Sequence, residues 1–159
     1  MRGLLFFLVF FSFQAFVFSF PYYVDPAIIK EVKENEVLYS KFPSSNKIHF
    51  DLAMSYAYSG QILKGWNTLK TLPKEYAYDV VKEYDLKMKS DPSKWRYPFK
   101  AAFGCFFIGQ KEKAIELFKD VLRINPNQYW AYGFIALVYG EMGDADNAIY
   151  YCKKGLAIE

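Results

Sequence analysis

A chain of 159 residues is long enough to bury one continuous core and short for two, so a single folded domain is the starting expectation. Twenty Lys and Arg against seventeen Asp and Glu leave a net charge of +3, and no block of like sign marks a nucleic-acid or anionic-membrane surface. The aromatic share of 21% overstates the folded body, because eight of the sixteen Phe residues fall in the first twenty positions.

That opening segment begins with Met1-Arg2-Gly3, a short positive start, and continues almost wholly apolar over 4–18. Val17 and Ser19 stand three and one residues before a cut ahead of Phe20. The pattern predicts a secretory signal peptide over 1–19 and an extracytoplasmic protein, periplasmic or secreted. The rival is an uncleaved anchor, which needs roughly 17 to 25 apolar residues. Ser12, Gln14 and Ser19 interrupt this run, no basic cluster follows it, and no Cys stands at the cut to accept a lipid.

Residues 20–45 read as a linker and one helix. Asp25-Pro26 supplies an N-cap and the proline favoured in a first turn, and Phe42-Pro43-Ser44-Ser45-Asn46 ends the helix. Apolar residues at helical spacing then predict helices over 48–58 and from Ile62 to a stop at Pro73, joined at Ser59-Gly60. A further helix is expected over 76–89, broken by Asp91-Pro92-Ser93. Four more follow, over 98–108, 111–124, 128–142 and 145–158, with Gly109 and Gly143 between the members of each pair. No stretch alternates long enough for a sheet. Cys105 and Cys152 lie among apolar neighbours and read as small buried side chains, a disulfide between them being the lesser alternative.

Self-similarity sets the architecture. Gly109 and Gly143 are 34 residues apart in number, and Gly109-Gln110-Lys111-Glu112-Lys113-Ala114-Ile115 matches Gly143-Asp144-Ala145-Asp146-Asn147-Ala148-Ile149. Small residues recur at Ala102 and Ala136, and at Ala114 and Ala148. Tyr139 and Phe118 supply aromatics, and Asn125-Pro126-Asn127 an inter-repeat turn. From Trp95 onward the chain resembles the tetratricopeptide repeat (TPR) family, in its exported bacterial form. A weaker copy carries Ala53, Tyr56, Gly60 and Gly65, with Gly65 replacing the usual alanine. It is set off by a spacing that exceeds one period by a whole helix, the one over 76–89.

The resemblance implies an all-α, right-handed TPR-like solenoid of antiparallel helix pairs over 46–159, about three pairs with the additional helix between them. Large side chains such as Leu117, Phe118, Leu122, Tyr139 and Leu156 would fill the space between pairs. Repeat arrays usually finish with a polar cap, and Ile149, Cys152, Leu156 and Ile158 lie where a following helix would pack. A longer array, a partner or a second copy is therefore expected to cover that C-terminal face.

The residues carry no catalytic pattern: no phosphate-binding glycine loop, no His-Glu-x-x-His, no nucleophile elbow and no Cys-x-x-Cys. Glu31, Glu34 and Glu36 alternate with lysines on a solvated helix face, and His49 has no second ligand at metal spacing. No enzyme, cofactor, metal or nucleic acid is expected, and a membrane contact only through 1–19 if that segment is retained.

What the resemblance implies instead is a protein or peptide partner held in a concave groove made by the first helix of each pair. Its expected lining is Phe50, Met54 and Tyr58, then Arg96, Phe99, Phe103 and Phe106, then Trp130, Phe134 and Leu137, with Ala57, Phe107, Gly133 and Glu141 beside them. The Lys and Asn clamp with which some relatives hold a chain-end carboxylate is absent. Two alternatives stay open: the additional helix or a neighbour covers these aromatics and they are core, or the chain is a structural segment of a larger envelope complex. The expected test of the groove is Phe103→Glu with Trp130→Glu, which should abolish capture and spare the fold.

Overall fold

The structure is a computed structural model that describes residues 24–157; the proposed signal segment and Ile158 lie outside them. Eight helices follow in chain order among the described residues: α1 (Pro26–Lys41), α2 (Asn46–Tyr58), α3 (Ile62–Leu69), α4 (Tyr76–Ser90), α5 (Arg96–Phe107), α6 (Lys111–Ile124), α7 (Trp130–Glu141) and α8 (Ala145–Leu156). The expected starts and stops hold to within a few residues. Asp25 accepts a hydrogen bond from the Ala27 amide at 2.8 Å, with Pro26 in the first turn.

Three turns set the pairs. Gly60, Gly109 and Gly143 have φ of 77°, 83° and 81°, and each closes the same pair of backbone bonds. At the first turn the Gln61 amide donates to the Tyr56 carbonyl at 2.9 Å and the Gly60 amide to Ala57 at 3.3 Å. Gln110 with Cys105, and Asp144 with Tyr139, repeat the longer bond at 2.8 and 3.0 Å. This arrangement satisfies carbonyls that a helix end leaves open, and it needs a left-handed residue where glycine carries no steric penalty. The weak upstream copy is thus built like the two strong ones: α2 and α3, α5 and α6, and α7 and α8 each form a hairpin.

Packing proceeds mostly between neighbours: α1 on α2, α2 on α3, α4 on α5, α5 on α6, α6 on α7 and α7 on α8. The core runs through Ala53, Met54, Val80, Phe99, Ala102, Phe118, Ile135 and Val138, with Ala102 and Ala114 fully buried at the expected small positions. Leu117 and Phe118 are buried as expected. Leu156 is not: it is 67% exposed, because no described element lies beyond α8 to receive it. Cys152 on the same helix is exposed rather than buried, while Cys105 is buried, and neither forms a disulfide.

The additional helix α4 is held closely. At Gly104 of α5, a Cβ would stand 2.8 Å from Val81 Cγ2 and 3.1 Å from the Ala77 carbonyl oxygen, so only glycine lets the two backbones approach this far. Gly104→Ala should lower unfolding stability by about 1–3 kcal/mol, the cost of overpacking a tight contact. Denaturant melts check this, and an unchanged midpoint would mean that α4 yields freely.

Candidate partner-binding groove

Helices α3 and α7 face each other across α5 and leave an apolar groove of about 180 Å³. Phe103 of α5 and Ala57 of α2 floor it. Ile62, Leu63 and Trp66 line the α3 side, and Phe134 and Leu137 the α7 side. Trp130 fixes one end, since its indole lies against Gly60 where a Cβ would overlap the ring. Trp66 stacks obliquely on Phe106 and Phe107, with centroids 5.7 and 5.6 Å away. On the rim, Leu63 is 79% exposed and Leu137 41%.

The expected lining is divided by this geometry. Phe50, Met54, Tyr58, Phe99, Phe103 and Phe134 are buried, and the five aromatic ones pack on the protein's own rings. Phe103 lies 5.5 Å from Phe118 and 4.7 Å from Phe134, so it and Phe134 underlie the groove instead of projecting from it. Arg96 is half-buried and engaged by its own fold: its guanidinium bonds Glu31 of α1 at 2.6 Å and lies 4.9 Å over the Tyr58 ring. Phe106 and Trp130 are half-buried, and Leu137 is open to solvent. Ile62, Leu63 and Trp66 were not expected in the groove. Ile62, Leu63 and Trp66 stand at helical spacing on one apolar stripe, and that spacing does not separate a groove wall from core.

Charge is distributed unevenly around these elements. Between α2 and α5, Asp51 accepts from Lys100 at 2.5 Å and from Lys47 at 2.6 Å. Burial opposes its charge, but the two ammonium groups hold the Asp51 carboxyl below its ordinary value. His49 is buried beside Tyr39, with Nε2 3.0 Å from Thr71 Oγ1, and burial lowers its imidazole from the usual range. These are structural contacts within the fold. Among the described residues no group of three or more His, Cys, Asp or Glu could hold a metal ion, and no helix is long and apolar enough to cross a membrane.

The tetratricopeptide repeat model matches residues 105–128 and 131–159. Among curated proteins none matches the chain. Solved structures of MamA are similar in fold. One, MamA AMB-1, gives a TM-score of 0.50 at 20% identity, covering 84% of this chain and 70% of the other. A second MamA crystal structure gives 0.51 at 19% identity, covering 80% and 66%. The chain therefore carries TPR repeats and has the all-α, TPR-like solenoid fold.

Burial overturns the choice of Phe103 for a test of the groove. A carboxylate at a side chain only 3% exposed must give up its hydration without a partner, whereas one at Leu137 remains in water. Phe103→Glu is expected to destabilise by more than about 3 kcal/mol, and Leu137→Glu by less than about 0.5 kcal/mol. Thermal melts followed by circular dichroism compare the two; equal losses would place Leu137 in the core as well.

Proposed function

We propose that this protein is a non-catalytic interaction module, exported from the cytoplasm, that binds a protein or peptide partner in the groove between α3 and α7. One observation carries the reading: Leu63 is 79% exposed at the edge of a recess lined almost wholly by apolar side chains. Water against such a surface is costly, and exposed apolar patches of this kind mark binding sites. The recess is smaller than the roughly 300–1,000 Å³ usual for small-molecule pockets. It fits one large side chain of a partner, as an interface anchor requires. The TPR repeats of α5 to α8 support the same reading, because stacked helix pairs offer an extended surface and no built-in chemistry.

The alternative is an assembly segment that associates through its last helix. It draws on α8, which buries none of its residues and exposes Ile149, Tyr150 and Leu156. A random peptide display library selected on the protein separates the two. Saturable ligands that bind the native protein but not Leu63→Glu with Leu137→Glu are expected, with the melt unchanged. An empty selection, together with a concentration-dependent mass that Leu156→Glu abolishes, would favour assembly.

Export rests on the N-terminal pattern of Arg2, a polar-interrupted apolar run and Ser19 before Phe20. The mature chain is expected to begin at or near Phe20 and to dissolve without detergent. N-terminal sequencing reads this directly, and intact Met1 in the membrane fraction would make the segment an anchor.

A further inference from the structure

We propose that a second site lies between α1 and α3, in the polar recess over α2, and that it takes a neutral, hydroxyl-rich ligand of the carbohydrate class. It is independent of the groove, since no residue lines both. On α3, Ile62, Trp66 and Leu69 line the groove, while Asn67, Thr68 and, just past the helix, Thr71 line the recess, so the helix turns different faces to the two. The recess measures about 380 Å³, inside the roughly 300–1,000 Å³ of small-molecule sites.

The second repeat pair displays what this place holds when it is packing alone. Eight residues after the turn glycine, the second pair carries Leu117 and the third Tyr151, where the first carries Thr68. Leu117 is buried, and so are Pro98, Ala101 and Cys105 of α5. The positions of α2 that match those three hold His49, Leu52 and Tyr56, all of which line the recess. In the first pair a small hydroxyl thus stands for a large apolar side chain, and an imidazole for a proline ring, and the seam is open and polar.

The ligand class follows from the groups that the fold leaves uncommitted. The Asn67 carboxamide and the Thr68 hydroxyl make no side-chain hydrogen bond among the described residues, and each can both donate and accept. Thr71 is already fixed: its hydroxyl donates to the Thr68 carbonyl at 2.8 Å and so accepts from His49 Nε2 at 3.0 Å. From α1, Glu36 accepts from the Tyr56 hydroxyl at 2.8 Å and enters no ion pair among the described residues, which leaves a carboxylate oxygen to accept from a ligand. An anion would be repelled by that carboxylate. A cation would meet Lys64, whose ammonium lies 5.3 Å over the Tyr56 ring and takes the aromatic face that a cation needs. A ligand whose hydroxyls donate and accept in turn has neither conflict, and its C–H faces rest on the apolar base supplied by Leu52 and Tyr39.

The test is titration calorimetry of the protein against a panel of neutral mono- and disaccharides, with choline and inorganic phosphate as charged comparators. Saturable binding of a neutral saccharide is expected, and of neither comparator. Thr68→Leu, which restores the residue type of the second pair, should weaken that saccharide by about tenfold or more while the melting temperature holds or rises. Asn67→Ala, at an exposed position, should weaken it by about tenfold with the melt unchanged, and decides alone if the Thr68 variant loses its fold. Thr68→Ser should retain binding. No saccharide bound, a preference for choline or phosphate, or binding indifferent to either weakening change overturns the proposal. Peptides selected on the groove should bind Thr68→Leu as they bind the native protein. Saccharide binding that Leu63→Glu abolishes would put the sugar in the groove and overturn the second site.

Discussion

The structure depends on the packing of aromatic rings around Phe99. Its centroid lies 4.9 Å from Tyr58, 5.9 Å from Trp95, 5.4 Å from Phe103, 5.5 Å from Phe118 and 5.6 Å from Phe134. Those partners belong to α2, α5, α6 and α7 or the residue before α5, so one side chain joins the first hairpin to the second and third. Most of the contacts are edge to face, the arrangement that the ring quadrupole favours, and such pairs add roughly 0.5–1.5 kcal/mol beyond their burial. A helix pair of this kind cannot bury both of its faces alone. The ring cluster is where three pairs share that burial, and the floor of the groove is its upper surface.

The hairpins were legible in the sequence because their cause is local. A left-handed residue at a helix end selects glycine within a few positions, so Gly60, Gly109 and Gly143 announce their turns wherever the rest of the chain lies. The groove was legible only in outline, because its lining depends on distant partners. The sequence places Phe99 and Phe103 on the first helix of a pair, but nothing in their spacing says that Phe118 and Phe134 will close over them. Arg96 reads as a free cation until Glu31, far away in sequence, is brought to 2.6 Å. Repeat position ranks Leu156 as a filler between pairs, and it is exposed because filling requires a neighbour beyond α8.

The irregularity of the array is what opens the groove. In a regular stack the closing helix of one pair lies along the opening helix of the next, and its apolar stripe is consumed there. Here α4 takes that flank of α5, seated at Gly104, and α3 is not packed along α4. What remains to α3 is the distal part of α5, where Trp66 meets Phe106 and Phe107. Its apolar surface is therefore only partly used: Leu69 is buried, but Leu63 is left at 79% exposure. At the other wall, α7 is anchored early, by Trp130 against Gly60, and its later turns stand apart from α3. One inserted helix thus accounts for three features together: the break in the repeat period, the stranded apolar face of α3 and the recess above Phe103. A continuous repeat would have buried the same residues as core.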